Sequence, residues 1–234
     1  MQLSRFADEI WTYEGSKVRF YGFPFPTRMT VVRLNAGTLW IHSPEKLTDA
    51  LQQELRELGE VAYLISPNKL HHLFLSKWIE AYPSARTYAA PGLVEKRRDI
   101  TFDAALTEVT EAAWQSQIDQ TIFRGSPAVE EVVFYHKPSR TLILTDLIEN
   151  FDPDTLNWWQ QALARFAGIV YPTGKTPIDW RLTFYFGSRE QARQSLRTML
   201  GWGAQNIILS HGKCIIGGAT DYLKKSFAWL GKLD

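Results

Sequence analysis

The chain has 234 residues, with 26 Lys and Arg against 25 Asp and Glu, and is long enough to bury a sizeable core. Its balanced charge, without a lysine-arginine run, lacks the electrostatic footprint of a nucleic-acid binder and leaves small-molecule or protein partners. A single cysteine, Cys214, excludes an internal disulfide framework and fits a reducing compartment.

The opening stretch MQLSRFADEIWTYEG alternates polar and apolar residues and lacks the apolar core of a signal peptide. No apolar run approaches a membrane span. A soluble, cytoplasmic protein built as one domain over residues 1–234 is therefore expected, and nothing in the sequence specifies its oligomeric state.

The first forty residues read as strands: EIWTYEG, FPTRMTVVRL and TLWIHS are short, β-branched or aromatic, and separated by turn residues. In KLTDALQQELRELGE, Leu47, Leu51, Leu55 and Leu58 recur at helical spacing, and Gly59 can stop the helix. VAYLIS is a continuous apolar run that suits a strand buried on both faces. HLFLSKWIEAYP predicts a helix ending at Pro83, and ARTYAA another strand. This alternation points to parallel pairing in an α/β arrangement.

Residues 95–120 are more polar and give no clear pattern. EEVVFYHKPSRTLILTD predicts a hairpin around HKPSR. DTLNWWQQALARFAG predicts a helix with Leu156, Trp159, Leu163 and Phe166 inward. SREQARQSLRTMLGWG predicts a helix capped by Ser188. QNIILSHG reads as a buried strand, and DYLKKSFAWLG as a helix packed through Leu223, Phe227 and Leu230.

Chemistry-bearing residues gather at strand ends. His71 and His72 follow VAYLIS, Asp146 follows TLILT, and His211 follows NIILS. Ligands of open α/β sheets collect beyond the carboxyl ends of strands. Three imidazoles and one carboxylate there would suit one divalent ion, zinc first, with iron or manganese as alternatives. Each residue also has an ordinary reading: adjacent histidines pack and hydrogen-bond, and an aspartate after a strand caps the next turn.

The element order and these strand ends resemble the metallo-β-lactamase fold, an αββα sandwich of two mixed sheets flanked by helices. More narrowly, PNKLHHLFLSKWIEAYP, FRGSPAVEEVVFYHKPSRTLILTDLIEN and SHG are similar to an uncharacterised bacterial branch of β-lactamase-like proteins of unknown function. PNKLHH occupies the place of that superfamily's H-x-H-x-D-H motif. Pro67 and Lys69 then stand at the first two histidines, His71 at the aspartate and His72 at the last histidine. Gly125 in FRGSP replaces the next family histidine, Asp146 matches the bridging aspartate, and His211 the final histidine.

The resemblance thus implies loss of one metal site and survival of the other as His71, His72, Asp146 and His211. It implies a metallo-hydrolase-like protein in which metal-bound water attacks an ester, lactone, amide or phosphoester of a small molecule. Asp146 would be ligand and proton acceptor, and Lys69 would offer positive charge to an oxyanion. Arg124 and Ser126 are candidates for contact with an anionic substrate. Glu149, Asn150 and His42 are candidates for holding the ligands from behind. The alternative is a non-catalytic binding or scaffold protein that keeps the fold and holds no metal.

Overall fold

The computed structural model describes residues 2–20 and 23–233. In chain order its strands and helices are β1 Leu3–Ala7, β2 Ile10–Glu14, β3 Val18–Phe20, β4 Phe23–Phe25, β5 Arg28–Arg33, β6 Thr38–His42, α1 Asp49–Leu58, β7 Glu60–Ser66, α2 Leu75–Ala81, β8 Arg86–Ala89, α3 Leu93–Lys96, β9 Ala104–Ala105 and β10 Ile118–Phe123. There follow β11 Glu131–His136, β12 Thr141–Leu144, α4 Trp158–Ala167, α5 Ile178–Thr183, α6 Arg189–Gly201, β13 Asn206–Leu209 and α7 Ala219–Ser226.

A seven-stranded sheet runs β1-β2-β5-β6-β7-β8-β9, and a four-stranded sheet runs β10-β11-β12-β13. The first begins as an antiparallel meander and turns parallel from β6 onward. In the second, β12 and β13 are parallel neighbours, which sets Leu144 beside Leu209 at their carboxyl ends. The expected parallel run through VAYLIS and the hairpin around HKPSR are both present.

The two sheets face one another. Ile10, Val32, Trp40, Ile65 and Tyr88 of the first interleave with Ile118, Ile122, Val132, Phe134, Ile143 and Ile208 of the second. Trp114, from the polar stretch that gave no pattern in sequence, fills this core in edge contact with Tyr88 at 4.9 Å. Packed rings of this size supply much of the apolar burial. Outside, Leu51 and Leu55 of α1 and Leu75 and Trp78 of α2 cover the first sheet. Leu196 and Met199 of α6 and Leu223 and Phe227, at the end of α7, cover the second. The result is the expected αββα sandwich.

Local signals explain the helix limits. Thr48 caps α1 by accepting from Leu51 N at 3.2 Å. Asn157 and Gln160 form a reciprocal capping box on α4, and Gly168 closes it in the left-handed conformation. One expectation fails here. Trp159, Leu163 and Phe166 point outward, and α4 packs instead through Ala164, with Leu156 buried just before it. The helical spacing was correct, but periodicity defines an apolar stripe without saying which face it covers. No helix of the described residues is long and apolar enough to cross a membrane.

His136, at the end of β11, is fully buried; its Nδ1 pairs with Ser139 Oγ at 2.7 Å, while Nε2 has no partner among the described residues. Burial lowers its pKa to about 4, with Glu9 and Asp8 opposing. The unfolded chain, with an ordinary value near 6.5, therefore takes up a proton that the fold refuses. Stability from this ring falls as pH drops from about 6.5 to about 4, by at most about 3 kcal/mol, and the loss levels off below. Urea midpoints measured across this window should show a shallower slope for His136→Phe than for the wild-type chain.

Candidate metal centre

Two carboxylates of the second sheet organise the site. Glu131 opens β11 and is completely buried. Its Oε1 accepts from Thr145 N at 2.8 Å, and its Oε2 accepts from Asp146 N at 2.8 Å and Leu147 N at 3.0 Å. It therefore grips the backbone that leaves β12. Burial and the adjacent Asp146 carboxylate raise its pKa, with Thr145 opposing.

Asn68, just beyond β7, joins the two. Its amide donates to Asp146 Oδ2 at 2.6 Å, Thr145 Oγ1 at 2.9 Å and Glu131 Oε2 at 3.2 Å. Its Oδ1 accepts from Leu70 N and His71 N at 2.8 and 3.1 Å. One buried side chain thus ties the first sheet to the second and shapes the turn that presents His71.

Asp146 receives two imidazoles. His71 Nε2 lies 3.2 Å from Oδ2, and His211 Nε2 lies 2.8 Å from Oδ1. Each ring is held from behind through its other nitrogen: His71 Nδ1 by Ser43 Oγ at 2.5 Å, and His211 Nδ1 by the Pro26 carbonyl at 2.7 Å. The Pro26 carbonyl can only accept, so it keeps a proton on His211 Nδ1, while the Ser43 hydroxyl orients the His71 ring; both anchors aim Nε2 inward. Donor atoms of His71, Asp146 and His211 all lie within 4.8 Å of one another.

Burial opposes the charge on Asp146, but His71 and His211 carry its pKa below the ordinary carboxylate range. Burial likewise opposes protonation of His211, yet the Asp146 hydrogen bond and charge raise it to about 9. Nearby, burial pushes Glu149 up to about 8 and also raises Glu45. Glu45, Glu131, Asp146 and Glu149 are all buried, so the region is rich in carboxyl groups relative to its cations.

His72 is not brought to this cluster. Its Nδ1 faces Arg97 Nη1 at 2.8 Å, and burial with the charges of Lys96 and Arg97 lowers its pKa to about 4. Adjacent residues in the turn before α2 diverge, so only one of the pair can face Asp146. The four-ligand set becomes three. Nor is the crevice made by one sheet: β7 delivers His71 from the first sheet, and β12 and β13 deliver Asp146 and His211 from the second.

The stem of Lys69 runs across Gly92, and no contact among the described residues ties its ammonium to the cluster. Pro67 is buried, its carbonyl accepting from Val132 N at 2.8 Å. Gly125 has φ +108°, and a Cβ there would lie 2.2 Å from the Ser188 carbonyl oxygen, so a histidine cannot occupy its position without moving the backbone. Arg124 is engaged by Glu108 and Glu130, and Ser126 Oγ by Thr183 and the Ala128 and Val129 amides. Both serve the loop rather than the cluster.

Asn150 does brace the site. Its N–H donates to the His211 carbonyl at 2.9 Å, and its side chain holds the Lys213 carbonyl and the Gly174 amide. His42 stacks on Trp40 at 5.5 Å, with both ring nitrogens unpartnered among the described residues and its pKa well lowered by burial and then by His71. It contributes packing under Ser43. Sequence reasoning missed Asn68, Glu131, Ser43 and Pro26. A glutamate opening an otherwise apolar strand was the available signal for Glu131; the carbonyl of Pro26 left none.

Residues 7–165 match the family model of a domain of unknown function, DUF4336. No curated protein matches the chain. Among solved structures, the chain is similar to the DIM-1 metallo-β-lactamase exposed to ceftazidime, at 18% identity and TM-score 0.65, covering 97% of this chain and 95% of that one. It is similar to a metallo-β-lactamase from Pontibacter korlensis at 12% identity and TM-score 0.64, with 97% of each chain covered. Rubredoxin oxygen:oxidoreductase from Desulfovibrio gigas matches at 15% identity and TM-score 0.65, over 98% of this chain and 61% of that one. The chain belongs to the DUF4336 family, and its fold is that of the metallo-β-lactamases.

Proposed function

We propose that the protein is a metallo-hydrolase-like enzyme with a single divalent-metal centre held by His71, Asp146 and His211. The observation that carries this reading is the shared aim of two imidazoles. Both turn Nε2 to one carboxylate while Ser43 and Pro26 hold their Nδ1 atoms. Once a metal displaces the proton that His211 shares with Asp146, two imidazoles and a carboxylate are a donor set suited to zinc, and to iron or manganese.

Departure of His72 supports catalysis over a closed structural site, because catalytic zinc sites keep a position free of protein ligands. An ion bound there would polarise a substrate oxygen and acidify water, which serves hydrolysis of an ester, lactone, amide or phosphoester.

The chain's own residues supply the rest. Asn68 fixes the orientation of Asp146, Glu131 fixes its backbone, and Asn150 fixes that of His211. A cleft of about 200 Å³ adjoins the Pro26 and Gly212 wall. Of its lining cations, Arg28 is held by Glu14 and Lys213 by Asp152, and Lys17 stands beside them, so the cleft suits a small-molecule substrate.

A second reading, a binding protein without metal, is favoured by one feature: Asp146 already bonds both imidazoles directly. Metal content and zinc titration of the purified chain separate the two. One ion per chain is expected, with affinity lowered about a hundredfold or more by His71→Ala, Asp146→Ala or His211→Ala. His72→Ala should leave affinity unchanged. Ser43→Ala should cost about tenfold to a hundredfold, as loss of a hydrogen bond behind a ligand does. A chain that takes up no metal fits only the second reading, and uptake that is equal in the His71 and His211 variants would place the ion elsewhere and overturn the first.

The absent site should resist repair. Gly125→His is expected to bind no second ion and to unfold at lower urea concentration, since its side chain meets the Ser188 carbonyl and its backbone has positive φ. Stoichiometry and a urea midpoint measured on the same sample check both outcomes.

A further inference from the structure

Helix α4 wears its apolar stripe on the outside. Trp158, Trp159, Leu163 and Phe166 are between 44% and 82% exposed, although the capping box and the Gly168 closure make the helix locally complete. Arg181, in α5, donates from Nη2 to the Ala167 carbonyl at 2.8 Å. That bond ties α5 to the end of α4, and the segment that leaves α5 exposes two further rings, Tyr185 and Phe186, at 66% and 86%. Scattered single apolar residues are ordinary on a surface, but a contiguous aromatic patch marks a covered face.

We propose that this face is a self-association surface, on which two copies of the chain meet across a two-fold axis. Area is the first argument. At about 200 Å² for each large side chain, these six residues expose about 800 Å², which is what one partner contributes to a standard stable interface. Charge is the second. Helix α4 carries one charge, Arg165, the Ile178–Thr183 helix adds Asp179 and Arg181, and the Arg189 guanidinium sits over the Tyr185 ring at 4.2 Å. A mostly aromatic face whose few charges are arginines matches the centre of a protein interface. It lacks the lysine and arginine cluster that draws an amphipathic helix to anionic lipid. Isologous pairing is also the commonest closed assembly.

Sedimentation velocity and light scattering on the full chain test this. The expected species has twice the 26.9 kDa mass of one chain and dissociates on dilution. Phe166→Asp and Phe186→Asp should each weaken it at least about tenfold, with far-ultraviolet circular dichroism unchanged because both side chains are exposed. Val109→Asp, an equally exposed site in the loop between β9 and β10, should leave the dimer intact. A monomer at every concentration would overturn the proposal, as would a dimer that withstands both phenylalanine changes. A monomer that floats with phosphatidylcholine–phosphatidylglycerol vesicles, and stops doing so in Phe166→Asp, would assign the face to a bilayer instead.

Discussion

Burial of the Asp146 carboxylate is the constraint around which the rest is arranged. A charge taken out of water must be met by partners, or it neutralises. Asp146 stays ionised because His71, His211 and the Asn68 amide all reach it. A second carboxylate, Glu131, lies close enough to oppose it electrostatically, and is tolerated because backbone amides of Thr145, Asp146 and Leu147 point into it. One acid therefore builds the loop, and the other faces the imidazoles.

That division of labour depends on the sandwich. Glu131 and Asp146 come from the second sheet, Asn68 and His71 from the end of β7 in the first, and Ser43 from the end of β6. Parallel pairing puts the carboxyl ends of β6, β7 and β8 on one edge, and of β12 and β13 on one edge. Close packing of Ile65 against Ile143 and Ile208 between the sheets sets the distance across which Asn68 reaches. A shift of one sheet over the other would break the Asn68 contacts and leave both acids short of donors.

The order of strands and helices was legible from apolar runs such as VAYLIS and TLILT with Gly and Pro punctuation, and the two-sheet sandwich from the resemblance that PNKLHH, LTDL and SHG carry. At the site, Asp146, His71 and His211 were legible as polar residues just past buried strands. His72 was not separable from His71, because which of two neighbours faces inward is decided by Asn68 Oδ1 shaping the turn and by Arg97 drawing the other ring away. Lys69, Arg124 and Ser126 were reasonable candidates by position, but Arg124 and Ser126 are engaged by residues distant in sequence, and the Lys69 stem lies along Gly92. Trp159, Leu163 and Phe166 show the same limit, since a stripe reads identically whether it faces a core or a second molecule.

The same segment connects the two unusual surfaces of the protein. Phe151, one residue after the Asn150 that holds the His211 carbonyl, packs in a small core with Phe23, Leu156 and Ala164. Ala164 is the inward residue of α4, whose opposite face is the exposed stripe. Phe25 of β4 closes the path, with its ring 5.1 Å from Phe151 and 5.4 Å from His211. The exposed stripe and the buried imidazole are therefore joined by one continuous run of packed side chains, Ala164, Phe151 and Phe25, with the Asn150 backbone holding the His211 carbonyl beside it.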